Sequence, residues 1–228
     1  MPPLDKTVRR RLIGIAKSSP QPREILDVGG RKSHQTINVR ANITVSDLPR
    51  ETDVQESLHL GITDSIIKQI YERRSNVRSV IFDDMTRSKL PDRSFDCVVA
   101  TEVLEHVEED ALFVSQVHRV LKTGGVFLMT TPNGDSVKNT NPDHKRHYTR
   151  AQLDSLLKSV FEDVEVEYAI TGGLSRKLGL KSWSITKPLQ TGLSMAANVI
   201  NSIQSSSSSV RRQAIGTRHL VATARKRA

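Results

Sequence analysis

Two runs of sequence decide the fold, namely Ser94-Phe-Asp-Cys-Val-Val-Ala-Thr-Glu-Val-Leu-Glu-His-Val107 and Lys122-Thr-Gly-Gly-Val-Phe-Leu-Met-Thr-Thr-Pro-Asn133. Each run contains a short apolar segment that ends in polar residues, and a helix-forming stretch separates the two. This pattern predicts two parallel strands of an α/β sheet joined by a helix. Because ligands bind beyond the carboxyl ends of such strands, the polar residues at 101–106 and 130–133 mark the candidate functional edge.

Composition limits the class of protein. A chain of 228 residues with 36% hydrophobic residues is long enough for one well-buried domain and an appendage. The single cysteine, Cys97, excludes a disulfide or a multi-cysteine metal site within one chain, and its apolar surroundings predict a small core residue. No apolar run reaches the ~18 residues that span a bilayer, and Arg9 to Arg11 are not followed by a signal-peptide core. We therefore expect a soluble, cytoplasmic protein.

The net charge of +9 is unevenly distributed. Residues 172–228 contain ten of the 34 basic residues and none of the 25 acidic ones, which leaves 24 basic and 25 acidic residues in 1–171. Such a segment predicts contact with a polyanion, either RNA or an anionic membrane surface. A solvated basic face without a dedicated partner is the alternative.

The order of predicted elements indicates an α/β protein with a doubly wound, mostly parallel, seven-stranded Rossmann-like sheet. We divide the chain into a basic N-terminal lead-in (1–23), a core (24–171) and a basic C-terminal segment with an insertion or lid and the last strand (172–228). Predicted helices cover 63–74, 109–121 and 149–160, the second with Leu112 and Val117 toward the sheet. The predicted strands cover 24–28, 42–47, 77–82, 95–100, the run after 125, 164–170 and 219–224.

The first strand and the turn after it carry a possible nucleotide site. Asp47 ends the second strand twenty positions after Asp27, an interval that fits a βαβ unit in which an acid binds ribose hydroxyls. Local turn capping is the alternative role for Asp47 and for Asp84, which follows the third strand.

Over residues 24–170 the chain resembles the class I S-adenosylmethionine-dependent methyltransferases. Residues 24–30 resemble their first motif, Asp47 their ribose-binding acid, and Asp84 the acid that reads the adenine amino group; 90–96 and 120–125 are also similar. The alternating glycines of the family would fall at 29, 31 and 33, but Arg31 and Ser33 occupy two of these positions. The resemblance implies S-adenosyl-L-methionine as the cofactor. The residues it implies for cofactor binding are Asp27, Gly29, Gly30, Asp47, Asp84, Thr101 and Glu102.

A second group of residues suggests the chemistry at the same edge. Glu102, Glu105 and His106 are spaced so that a helical turn would place them on one face. The candidate catalytic residues are His106, His144, His147 and Tyr148. The pattern is similar to that of the small-RNA 3′-terminal 2′-O-methyltransferases, which implies Mg²⁺ or Mn²⁺ bound by Glu102, Glu105, His106 and His144. Many metal-free methyltransferases have the same Glu-x-x-Glu-His stretch, in which case Glu102 borders the cofactor and His106 the acceptor.

Three functions follow from these alternatives. The first is methyl transfer to a hydroxyl of a small molecule, a sugar or glycan precursor, or a lipid precursor. The second is a metal-assisted RNA 2′-O-methyltransferase, although the 4% aromatic content offers few stacking platforms. The third is a cofactor-binding scaffold without turnover, which the incomplete glycine pattern would favour.

Overall fold

The computed structural model describes residues 2–50, 61–171, 207 and 209–227. Within these ranges the chain forms one sheet of seven strands. The strands are β1 (Arg23–Val28), β2 (Ala41–Asp47), β3 (Val77–Phe82), β4 (Phe95–Thr101), β5 (Leu121–Pro132), β6 (Asp163–Thr171) and β7 (Thr217–Arg225). The α-helices are α1 (Pro3–Lys17), α2 (Asp64–Arg73), α3 (Asp110–Val120) and α4 (Arg150–Lys158). The doubly wound, mostly parallel sheet that the sequence predicts is thus confirmed.

The strand order is β3-β2-β1-β4-β5-β7-β6. The first five strands pair in parallel, so β1 to β5 all end at one edge of the sheet. β7 is antiparallel to β5 and to β6, which brings the end of β6 and the start of β7 to that same edge. The order reverses between β1 and β4, where sheets of this kind bind ligands.

Alternate side chains of the strands enter two cores, one on each face. On one face, Val8 and Leu12 of α1 and Ile70 of α2 are buried against residues such as Ile43 and Val99. On the other face, the helices α3 and α4 cover the second core; their buried residues are Phe113, Val114, Val117, Val120, Leu153 and Leu157. Helix α1 therefore contributes to the core of the sheet, although it was predicted as part of a basic lead-in.

Local details match the sequence patterns with two exceptions. The capping box at Thr149 and Gln152 is present, and Cys97 is buried as predicted. The prediction for Leu112 is wrong, because this side chain is 45% exposed while Phe113 and Val114 face the sheet. β5 begins before the predicted start, at Leu121, with Gly124 at φ +75° where the pairing with β4 shifts register.

The predicted insertion or lid lies outside the described residues between 172 and 206. The strands on either side of it are described: β6 ends at Thr171 before the segment, β7 begins at Thr217 after it, and these two residues pair with each other. Both residues lie at the carboxyl edge of the parallel strands. Among the described helices, none is long and apolar enough to cross a membrane.

Candidate active site

A cavity of about 510 Å³ opens at the carboxyl ends of β1 to β4. This volume lies within the range of small-molecule binding sites. Of the residues predicted to bind a cofactor or to act in catalysis, those that line the cavity are Gly29, Asp47, Asp84, Thr101, Glu102 and His106. The strand ends thus bring together residues that are up to 77 positions apart in the sequence.

The glycine turn after β1 disfavours any residue with a side chain at two positions. Gly29 has φ +68°, and a Cβ atom there would lie 2.8 Å from Cγ2 of Val103. At Gly30, a Cβ atom would lie 2.4 Å from the carboxyl carbon of Asp27. The turn therefore needs glycine at both positions, the first for its left-handed conformation and the second for lack of space.

Asp27 lies beneath this turn and does not line the cavity. It is fully buried and accepts hydrogen bonds from Ser33 Oγ at 2.9 Å and Thr36 Oγ1 at 2.8 Å, and Arg74 Nη2 lies 3.1 Å away. Arg74 also donates to the carbonyl oxygen of Gly30 at 2.8 Å. Burial raises the pKa of Asp27, and the charge of Arg74 opposes this rise. In this structure Asp27 holds the turn in place from below.

The acids at the ends of β2 and β3 each use one oxygen for a local turn. Asp47 Oδ1 accepts from the backbone N–H of Leu48 at 2.9 Å, and Asp84 Oδ1 accepts from Thr86 N at 2.9 Å. The other oxygen of Asp47 forms an ion pair with Arg31 at 2.7 Å. Turn capping is therefore real for both acids. Asp84 lines the cavity, and its other oxygen, Oδ2, receives no hydrogen bond from any described residue.

Asp83 is a cavity residue that the sequence reasoning missed. It lines the cavity beside Asp84, and its Oδ1 accepts from Lys89 N at 3.0 Å. Its Oδ2 is buried and has no hydrogen-bond partner among the described residues. A buried acceptor without a partner is costly, and a ligand N–H or O–H would satisfy it. The Asp83-Asp84 pair at the strand end was the available signal.

Glu102 adopts an unusual conformation next to the cavity. Its φ is +54°, and its backbone N–H donates to the carbonyl oxygen of Thr130 at 3.1 Å. The Thr130 hydroxyl donates to Glu102 Oε1 at 2.9 Å, and His219 Nδ1 lies 3.2 Å from Oε2. Burial would raise the pKa of Glu102, but the contact with His219 and the bond from Thr130 outweigh it and lower the pKa. His219 comes from β7, and nothing in the local sequence pointed to it.

The predicted helical turn that would gather Glu102, Glu105 and His106 on one face is wrong. A 3₁₀ turn covers only Leu104–His106, and Glu102 precedes it in the left-handed region. Glu105, His106 and His144 do converge, with one potential ligand atom from each within 4.8 Å of the others. Both carboxylate oxygens of the fully buried Glu105 lack partners among the described residues, and burial followed by the charge of Glu102 raises its pKa well above the usual value.

Hydrogen bonds to backbone carbonyls fix which nitrogen of each neutral imidazole carries the proton. His106 Nδ1 faces the carbonyl oxygen of Asp143 at 3.2 Å, so it is the donor and Nε2 retains its lone pair. His147 Nδ1 donates to the carbonyl oxygen of Val137 at 2.9 Å, so its Nε2 accepts from His144 Nδ1 at 2.8 Å. The lone pairs of His106 Nε2 and His144 Nε2 are therefore left for chemistry. Burial, together with the charges of His106 and His147, lowers the pKa of His144.

His147 and Tyr148 lie away from the cavity. Both nitrogens of His147 are engaged as described above. Tyr148 is 5% exposed, and its hydroxyl donates to Asp110 Oδ2 at 2.7 Å. Burial and the bond to Asp110 raise the pKa of Tyr148, which keeps its hydroxyl protonated and so unable to accept a proton as a phenolate would. Both residues make contacts that position other groups. His147 orients the ring of His144, and Tyr148 connects the loop before α4 to the start of α3.

The cavity fits the cofactor that the resemblance implies. A left-handed glycine leaves room for a close approach of a ligand to the backbone, as dinucleotide sites require. Carboxylates at the ends of β2 and β3 are acceptors for the hydroxyl groups of a ribose and the amino group of a purine. Asp83 Oδ2 adds a buried acceptor that has no partner among the described residues. These features fit a nucleoside with several hydrogen-bond donors.

Comparison with known proteins supports this assignment. A family model described as "Methyltransferase domain" matches residues 44–129. A probable S-adenosylmethionine-dependent methyltransferase of Mycolicibacterium smegmatis is 44% identical over 81 residues, which are 33% of this chain and 32% of that protein. The matched part thus spans about a third of the length of this curated relative.

Solved structures with the same fold cover nearly the whole chain. A SAM-dependent methyltransferase from Archaeoglobus fulgidus gives a TM-score of 0.61 at 18% identity, covering 97% of this chain and 94% of the other. The phosphoethanolamine N-methyltransferase 2 of Haemonchus contortus, solved with S-adenosyl-L-methionine, gives 0.58 at 16% identity, covering 96% and 53%. Residues 44–129 thus match a methyltransferase domain, and the chain has the fold of the S-adenosylmethionine-dependent methyltransferases.

Proposed function

We propose that this protein transfers the methyl group of S-adenosyl-L-methionine to a hydroxyl of a small molecule, a sugar or glycan precursor, or a lipid precursor, and that it works in the cytoplasm. The proposal rests on one cavity that is lined both by residues predicted to bind the cofactor and by His106, whose Nε2 retains a lone pair. The bound cofactor would supply an electrophilic methyl group at its sulfonium.

The residues of the chain divide between binding and proton transfer. Asp47, Asp83 and Asp84 would accept hydrogen bonds from the nucleoside, while Gly29 permits the approach of its remainder to the backbone. His106 lies on the cavity wall, with its ring oriented by the bond from Nδ1 to the Asp143 carbonyl. Its Nε2 would accept the proton of the acceptor hydroxyl, a role worth about 10²–10⁴ in rate.

Calorimetry and a turnover assay test the two roles separately. We expect Asp84→Asn to weaken S-adenosylmethionine binding about tenfold, while Asp154→Asn, which removes a carboxylate paired with Lys158 on α4 away from the cavity, leaves it unchanged. His106→Gln should retain cofactor binding but lose at least about 100-fold in turnover against any acceptor found by screening cell extracts with labelled cofactor. His34→Gln, an exposed histidine away from the cavity, is the matched control. No binding by the wild type at millimolar cofactor would exclude the proposal.

A metal-assisted reaction, as in an RNA 2′-O-methyltransferase, is the second candidate. It is favoured by Glu105, His106 and His144, whose ligand atoms converge and whose outer hydrogen bonds orient both imidazoles, as in many metal sites. Glu102, the fourth predicted ligand, is instead engaged by Thr130 and His219. Titration with Mn²⁺ should then show binding that Glu105→Gln abolishes and Glu108→Gln does not. Full turnover in EDTA would exclude this mechanism.

Two further predictions concern partners and activity. A polyanion partner for residues 172–228 predicts retention on heparin that is lost when this segment is neutralised by Lys and Arg to Gln substitutions. The scaffold alternative predicts cofactor binding without turnover on any acceptor. A methylated product formed by the wild type and absent with Asp84→Asn would exclude it.

A further inference from the structure

A second cavity, of about 610 Å³, lies between α1 and the strands β6 and β7, and it extends to the edge of the sheet opposite the cavity at the carboxyl strand ends. Arg23 begins β1, Gly124 lies near the start of β5 and Arg225 ends the antiparallel β7, so all three mark the amino edge. Helix α1 forms one wall. The seven residues of β4 separate the two edges by about 20 Å. We call this cavity the arginine groove, after the arginines that line it: Arg10, Arg11, Arg23, Arg211 and Arg225.

Two carboxylates of the groove are each shared by two cations. Glu167 forms ion pairs with Arg11 and, at 3.5 Å, with Arg211. Asp96 lies 3.1 Å from Arg23 and 3.0 Å from Lys122. Each carboxylate balances one of its two cations. Lys122 lies outside the groove lining, so Asp96 and Arg23 cancel within the lining and the Glu167 cluster keeps a surplus of one. The side chains of Asp96 and Glu167 are 15% and 14% exposed, which limits the screening of these charges by solvent.

Two further arginines add to the surplus. The side chains of Arg10 and Arg225 are exposed and form no ion pair or hydrogen bond with a described residue. The third acid of the lining, Glu165, offsets one of them. Five arginines and three acids therefore give the described lining a formal charge of +2. The arginines come from α1, β1, β7 and the 3₁₀ turn Val210–Arg212, and the acids come from β4 and β6.

We propose that the arginine groove binds the phosphate group of a compact phosphate monoester. Guanidinium groups bind phosphate oxygens in a planar, bidentate manner. A phosphate monoester carries a charge of about −1.5 to −2 at pH 7, which matches the surplus of the lining. The volume lies in the range of small-ligand sites, and Tyr168 is the one aromatic residue of the described lining, so a stack of nucleic-acid bases has little platform here.

The proposal does not depend on methyl transfer, and its test uses the full-length chain without cofactor. The probe is inorganic phosphate, titrated by calorimetry in a buffer free of other multivalent anions. We expect binding that weakens at least tenfold in the double variant Arg10→Gln/Arg225→Gln. Both side chains are exposed, so folding should be retained, and circular dichroism checks this. The control Arg73→Gln/Arg78→Gln removes the same charge elsewhere on the surface and should change affinity less than twofold.

Three outcomes would overturn the proposal. The first is absence of phosphate binding by the wild type, and the second is an equal loss in the groove and control variants. The third is a single-stranded 12-nucleotide oligomer that binds more tightly than phosphate and depends on Arg10 and Arg225, because this would identify a nucleic-acid surface. Binding of S-adenosylmethionine should be unchanged in the groove variant, so failure of this proposal and failure of the proposed function are distinguishable.

Discussion

The buried pair of Asp27 and Arg74 makes a demanding prediction about stability. Arg74 is 4% exposed and donates to Asp27 Oδ2, Thr36 Oγ1 and the carbonyl oxygen of Gly30. In Arg74→Met the stem is kept and the guanidinium is lost. Asp27 then stays buried with only two hydroxyl donors and no opposite charge. Removing one partner of a buried pair costs about 3–5 kcal/mol, which is the expected loss in the free energy of unfolding at pH 7.

The loss should depend on pH in a defined direction. Burial already raises the folded-state pKa of Asp27 above its ordinary 3.8, and loss of Arg74 should raise it further. An acid with a raised folded-state pKa loses stability as the pH rises above its unfolded-state pKa, up to the folded-state value. The difference between wild type and Arg74→Met should therefore shrink when the pH is lowered from 7 to 5, by at most about 1.4 kcal/mol per pH unit.

Urea unfolding followed by circular dichroism measures this loss. With a slope of about 2.5 kcal/mol/M, the midpoint should fall by about 1–2 M. Arg73→Met, at the exposed neighbour, should leave it within about 0.2 M. Asp27→Asn added to Arg74→Met removes the uncompensated charge and should recover at least about 1 kcal/mol. A loss below about 1 kcal/mol in the single variant, or no recovery in the double variant, would refute the argument that an uncompensated buried charge is responsible.

Three other variants test separate features. Glu105→Gln should remove a pH dependence of stability. Because burial raises the pKa of Glu105 well above 4.5, the wild type should lose stability as the pH rises from about 4.5. Unfolding measured in EDTA should show a smaller loss over the same pH range in the variant. Arg31→Gly removes a cation that competes for Asp47 Oδ2 and should tighten S-adenosylmethionine binding by about 3- to 10-fold by calorimetry, whereas equal affinities would contradict the competition. Phe113→Ala should cost about 3–5 kcal/mol in urea unfolding, and Leu112→Ala less than about 0.5 kcal/mol. Similar losses would contradict the view that only Phe113 packs against the sheet.

The sequence predicted the elements whose signals are local. Apolar runs bounded by polar residues, and for β6 the alternation of apolar and polar residues over 164–170, located all seven strands, because each pattern lies within the strand itself. Thr149 and Gln152 predicted the start of α4 for a similar reason, since a capping box is complete within four residues. The exposed Leu112 shows the limit of periodicity, because two apolar neighbours at 112 and 113 compete for one face and only packing decides between them.

The parts of the site that escaped prediction depend on long-range contacts. His219 reaches Glu102 because β7 pairs with β5 antiparallel, a pairing that no local pattern encodes. Glu102, whose backbone is in the left-handed region, is held by hydrogen bonds with Thr130, which is 28 positions away. The placement of Asp27 beneath the turn depends on Arg74 from the end of α2. In each case the sequence indicated the residue, but only the folded arrangement of strands and helices decides which residue it contacts.

The incomplete glycine pattern, which favoured a scaffold without turnover, loses its force in the structure. A glycine is needed where the backbone is left-handed or where a Cβ would collide, and both conditions hold at Gly29 and Gly30. Ser33 has φ −64°, and Arg31 is not among the described residues with positive φ. Neither position therefore needs glycine for the turn to form. Arg31 changes the charge at Asp47 through its ion pair, so we expect this departure from the glycine pattern to alter cofactor affinity and to leave the shape of the turn intact.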